Sequence, residues 1–276
     1  MCPANIGRDV LTESTLSAAA FGAQPGCWPL PAASTPYQRW LRAVAAGGQG
    51  RYGSAHSDLA ALLRSAPSGR LASLAHSTQG SFLRQLGWHA LARRWDGRAL
   101  ALAGDDAEAA ADALIGLAAD ALGLGRFAAA ETLLSRTRNK LAADVPVHRL
   151  AVRQAWVAAE LAMATRDGAA AVRNAETAVA LASAGGDGSV SARHRVKSDV
   201  VLAAALCSAG DVERARTVGD DTLDATARLG LVPLRWALAC LLIDIGSATR
   251  TTQQLQELRD SCAETVRHAG GTWCER

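Results

Sequence analysis

Residues 48–67, GQGRYGSAHSDLAALLRSAP, decide between two folds. Gly48, Gly50 and Gly53 stand in the order GxGxxG, which marks a dinucleotide loop only when a strand precedes it, a helix follows, and an acidic residue lies about 20 positions on. The preceding run YQRWLRAVAAG places Trp40, Leu41, Val44 and Ala45 at helical rather than strand spacing. No acidic residue occurs between Asp58 and Asp96, so the ribose-binding carboxylate is missing; Arg70 leaves a 2′-phosphate variant as the remaining nucleotide option. The glycines read as a joint between two helices.

The same joint recurs along the chain. Turn signals appear at Gly50, Gly87, Gly125, Arg166, Gly210 and Gly246, separated by 37, 38, 41, 44 and 36 residues, with apolar helical segments on both sides. Recurrence near 40 residues is the mark of stacked helical hairpins, each unable to bury its apolar face alone. After Gly50 come Tyr52, Ala55, Leu59 and Leu62, and then Pro67 where the helix should end. After Gly125 the same offsets give Phe127, Ala130, Leu134 and Thr137, and after Gly87 they give His89, Ala92, Asp96 and Ala99. Gly168, Ala171, Ala175 and Ala178 follow Arg166. Offsets of five, nine and twelve fall on one helical face, and Ala at a crossing lets two helices approach closely.

These offsets resemble the second helix of a tetratricopeptide repeat, over roughly residues 36–268 and about six hairpins. The resemblance implies an all-α superhelix of antiparallel hairpins. It departs from the family where most first helices lack the Trp and the Leu-Gly pair, although Gly80 supplies a small residue seven positions before Gly87. The later hairpins are long, and the last lacks the Ala. The resemblance further implies a concave face built from residues thirteen, ten, six and three positions before each turn. Carried onto this sequence, that face presents Tyr37, Trp40, Arg84, Arg153, Trp156, Glu160, Lys197 and Trp236. Trp40, Trp156 and Trp236 each stand ten residues before a turn, either lining a groove or filling space between Ala-rich hairpins.

Composition agrees with such a fold. The 276 residues are 49% hydrophobic and 20% charged, with much of the apolar content Ala, which favours helices and adds little volume. Only Lys140 and Lys197 are Lys among 29 basic residues, a bias that reads as a high-GC, actinobacterial-like genome. A net charge of +3 spread over the chain points to neither a nucleic acid nor a membrane. Residues 1–35 hold four of the eight Pro and read as an irregular arm, with Trp28 and Leu30 placed to pin part of it to the body; residues 269–276 read as a tail. The six cysteines show no CxxC and read as reduced cytoplasmic thiols, without a leader or an 18-residue apolar span.

No HExxH, GxxxxGK[ST] or GxSxG occurs, and Cys262, His268 and Cys274 match no common zinc spacing. No catalytic residue, cofactor or metal is expected. The acidic pairs Asp105–Asp106 and Asp220–Asp221 read as helix caps. The sequence therefore points to a noncatalytic scaffold, adaptor or regulator holding a protein segment on its groove, where Trp supplies area and Arg or Lys meets an acidic group. The alternative is a regulatory domain that senses a small molecule within the superhelix, and an atypical all-helical enzyme stands third.

Overall fold

A computed structural model describes residues 3–143, 148–184 and 191–274. It is an all-α repeat, without a strand among those residues. Helix α1 (Pro3–Phe21) leads into six consecutive antiparallel pairs. These are α2 (Pro36–Gly48) with α3 (Tyr52–Ser65), α4 (Gly69–Gln85) with α5 (His89–Leu102), and α6 (Ala107–Gly123) with α7 (Phe127–Ala143). They continue with α8 (His148–Ala164) and α9 (Gly168–Ser183), α10 (Ala192–Ser208) and α11 (Val212–Arg228), and α12 (Val232–Ile245) and α13 (Thr252–His268).

The starts and stops follow from local chemistry. Thr35, Asp106, Asp167, Ser191, Asp211 and Thr251 each accept an otherwise orphaned N–H near the start of the following helix. The joints at Gly50, Gly87, Gly125 and Gly210 all have φ between 71° and 90°, where a Cβ is penalised; Arg166 adopts φ 64° in the same role. Five residues past these joints, Ala55, Ala92, Ala130, Ala171 and Ala215 are all fully buried, as the crossing requires.

Three features differ from the sequence reading. The arm is helical over Pro3–Phe21 and irregular only over residues 22–35. That irregular piece is held down by Gln49, whose Nε2 donates to the Pro25 and Cys27 carbonyls, and by the Arg51 guanidinium 4.0 Å above Trp28. A left-handed joint also occurs at Gly230, between α11 and α12, whereas Gly246 opens a longer loop. Asp220 is no cap. It is buried within α11 and accepts bonds from Ser247 Oγ and the Ala248 N–H of that loop.

Even-numbered helices α2 to α12 pack on one another as an inner layer, with their odd-numbered partners outside. The superhelix closes on itself. Arg193 of α10 donates to the Val44 carbonyl of α2 at 3.1 Å, and the Ala192 N–H reaches the Gly22 carbonyl at 3.0 Å. On the other side of the ring the Gly53 N–H donates to the Ala269 carbonyl at 2.7 Å, and the Cys274 N–H to Leu86 at 2.8 Å.

The three glycines of the GxGxxG run sit on this seam. A Cβ on Gly48 would meet the Arg193 side chain, one on Gly50 would meet Val266 and Pro233, and one on Gly53 would meet the Ala269 carbonyl. The first hairpin is glycine-rich because the last hairpins lie against it.

Candidate functional site

The inner layer encloses a cavity of about 390 Å³, within the range of small-ligand sites. Its lining repeats from hairpin to hairpin. Six residues before the joint stand Val44, Ser81, Ala119 and Glu160; ten before it stand Trp40, Ser77, Ile115 and Trp156. Asp112, Arg153 and Lys197 occupy the position thirteen before, and Arg84 and Leu122 the position three before. Trp40, Arg84, Arg153, Trp156, Glu160 and Lys197 are thus brought together around one cavity. Tyr37 instead packs beside Trp40, with ring centroids 5.7 Å apart, and Trp236 stacks on Trp273 at 4.4 Å, so neither forms part of the lining.

Both alternatives for the tryptophans hold at once for Trp40 and Trp156. Trp40 Nε1 donates to Thr78 Oγ1 at 3.1 Å and Trp156 Nε1 to Ser198 Oγ at 2.8 Å, each on the next inner helix. The indoles lock neighbouring hairpins together while showing a face to the cavity. Phe21, from the end of α1, completes this wall at 5.3 Å from Trp40, and His194 joins it at 5.3 Å from Trp156.

Sequence reasoning misses Arg149, Arg193, His194, Asp112, Phe21 and Phe82. Arg149 and Arg193 nevertheless share a register, seventeen residues before their joints, one helical turn beyond the inner-face positions that the resemblance supplied. Arg70 and Glu108 occupy the same register in α4 and α6. The resulting ladder is Arg70–Glu108 at 2.5 Å, then Glu108–Arg149 at 2.8 Å, and then Arg193.

The alternation of charge fails at that last rung. Arg149 also shares Asp112 with Arg153, Lys197 bonds Glu160 at 3.2 Å, and Arg84 bonds both Asp96 and Asp120. Arg193 has no carboxylate partner among the described residues, only the Val44 carbonyl. Burial, followed by the nearby Arg149 charge, pulls its guanidinium down to about 10. Burial and the adjacent Arg84 pull Arg153 down to about 10 as well. Burial, reinforced by Arg193, Arg149 and Arg153, holds His194 well below the usual imidazole range, so it is neutral at physiological pH. Burial alone would raise Glu108, but hydrogen bonds from Arg70 and Arg149 outweigh it and hold the carboxyl below its usual value.

Behind the cavity wall lies a buried triad. Asp96 takes the offset-nine position that is Leu59 and Leu134 in other hairpins, and is fully buried between Gly80 of α4 and Gly116 of α6. A Cβ at either glycine would collide with its carboxylate, so the two glycines hold the space for the charge. Arg84 is the cation bonded to both Asp96 and Asp120. Burial pushes Asp96 up to about 7, with the Asp120 charge adding to it against the pull of Arg84.

The fold and cavity define an all-α helical-repeat protein closed around a cationic, aromatic interior. A scan against protein-family models and a search of curated proteins both find no match to the chain. No described helix is long and apolar enough to cross a membrane.

Proposed function

We propose that this chain is a noncatalytic regulatory binding protein whose tetratricopeptide-like interior receives a small ligand. The observation that carries the reading is closure of the inner layer around a cavity lined by five cationic side chains, Arg84, Arg149, Arg153, Arg193 and Lys197, against the two carboxylates Asp112 and Glu160. Those carboxylates are tied to guanidinium or ammonium groups, an arrangement suited to holding charge rather than moving protons. Binding would be transmitted through the seam, since Arg193 touches both the cavity and α2.

Capture of a protein segment on the same face is the second reading. The paired Trp and Arg side chains favour it. Because the seam closes the ring, the segment entering would be a chain end rather than a strand running the length of a groove. The Arg-for-Lys bias supports a bacterial source, and the lack of a CxxC among the scattered cysteines a cytoplasmic setting.

A thermal-shift screen of wild type beside Ala119→Trp, which puts an indole into the cavity, tests the proposal. Compounds or short peptides that stabilise the wild type and leave the variant unmoved support it. Ligands that shift both proteins equally place binding elsewhere and overturn it.

A further inference from the structure

Resting on the reading of the cavity as a ligand site, we infer that its ligand carries an oxyanion, a carboxylate or a phosphate, joined to a flat apolar body. The oxyanion sits at the α8–α10 step, on Arg193, Arg149 and Arg153, and the body lies against Trp40, Trp156 and Phe21.

The repeat makes this step unlike the others. Where inner helices meet between α4 and α6, and again between α6 and α8, residues in the register seventeen before the joint alternate in sign: Arg70, Glu108, Arg149. Between α8 and α10 the rung is Arg149 against Arg193, and one turn along it is Arg153 against Lys197. A like-charged rung drawn partly out of water costs free energy unless an anion lies against it, and in the second rung Asp112 meets Arg153 and Glu160 meets Lys197, which is 31% exposed. The carboxylates nearby do not fill that role for Arg193. Asp112 is already shared by Arg149 and Arg153, Glu108 by Arg70 and Arg149, and Glu160 is bonded to Lys197.

Arg193 spends one N–H on the Val44 carbonyl and stands against Gly48, whose missing Cβ leaves room for it. A guanidinium presents five donors in a planar fork that matches carboxylate and phosphate oxygens two at a time. The aromatic wall selects the rest of the ligand. Arg149 lies 5.5 Å from the Phe21 ring and 5.9 Å from Trp40, and Lys197 Nζ lies 5.9 Å from Trp156, so cations and rings alternate around one space. A planar apolar body bearing one anionic group meets both kinds of surface together.

The test is isothermal titration of the full chain with three probes that share a naphthalene body: 2-naphthoate, 2-naphthyl phosphate and neutral 2-naphthamide. At least one anionic probe should bind tenfold or more tightly than the amide, and whichever is tighter identifies the oxyanion. Arg193→Gln should lower the affinity of that anionic probe about tenfold and leave the amide unchanged. Arg193→Lys, which restores a cation beside Val44, should recover much of the preference. In an NMR pH titration of the wild type, the anion should move the His194 transition upward, which a merely structural role for Arg193 would not do. Equal binding of all three probes overturns the anion site while leaving the cavity reading intact. An anion preference unchanged in Arg193→Gln, or no binding of either anionic probe, also overturns it; the Ala119→Trp comparison then judges the cavity separately.

Discussion

Replacing Arg84 with Met removes the cation that is bonded to both carboxylates of the buried triad. Asp96 and Asp120 side chains are 0% exposed and Arg84 is 11% exposed, so water cannot take over the lost charge. Breaking a buried ion pair by deleting one partner costs about 3–5 kcal/mol, because the charge left behind is uncompensated. Asp96→Asn should behave differently, since it leaves one guanidinium facing one carboxylate; its cost should stay within about 1 kcal/mol. The two variants should also separate with pH. Asp96 moves from an ordinary 3.8 up to about 7 in the folded chain, so between those values the native state holds more protons than the unfolded state. Its contribution to stability is therefore greatest at low pH and falls as pH rises toward 7, by up to about 1.4 kcal/mol per pH unit for each extra proton. Urea unfolding of Arg84→Met should show a deficit at about pH 8 that shrinks at about pH 5, while Asp96→Asn should flatten the wild-type pH dependence. A deficit for Arg84→Met below about 1 kcal/mol, or one independent of pH, would refute the triad as an energetic unit.

Gly47→Ala would drive a Cβ into the Phe82 ring, which packs edge-on to Tyr52 at 5.5 Å; urea unfolding should show a loss of about 1–3 kcal/mol. Gly50→Ala must hold φ near 80° and press on Val266, so a loss of about 1–2 kcal/mol is expected in the same assay. Removing residues 271–276 deletes the Thr272 carbonyl that accepts from Trp88 Nε1 at 2.7 Å and the ring that covers Trp236. Tryptophan emission should then shift to the red, and an unchanged spectrum would mean that the tail does not dock.

The layering of the fold is legible because it is written locally. A residue able to take positive φ and an Ala five positions on mark the first five hairpins locally, and the hairpins at Gly50 and Arg166 add apolar residues at nine and twelve. Most of the inner face follows from the same arithmetic, which is why Trp40, Arg153, Trp156 and Lys197 converge. Closure is not written that way. The Gly53–Ala269 bond joins residues from opposite ends of the repeat, and nothing beside Gly53 in the sequence specifies a partner so distant. Phe21 enters the cavity from an arm whose Pro and Gly content masks the helix before it. Asp96 occupies a position where an apolar residue is expected, and its burial becomes intelligible only when Arg84, Gly80 and Gly116 are seen around it. Arg149 and Arg193 are missed for a narrower reason: they lie one turn beyond the inner-face positions carried over from the resemblance.

Enclosure of the cavity depends on the first and last hairpins meeting, because that contact turns a groove into a closed space. The amide of Gly53 reports on it directly. As the second residue of α3 it has no partner within its own helix, and its bond runs to the Ala269 carbonyl at 2.7 Å. Ala128 holds the equivalent position in α7, and both residues are exposed, so the pair compares an amide bonded across the ring with one at an open helix end. Native-state hydrogen exchange should show the Gly53 amide strongly protected and the Ala128 amide exchanging at nearly the rate of an unfolded chain. Equally fast exchange at both positions would contradict a closed superhelix.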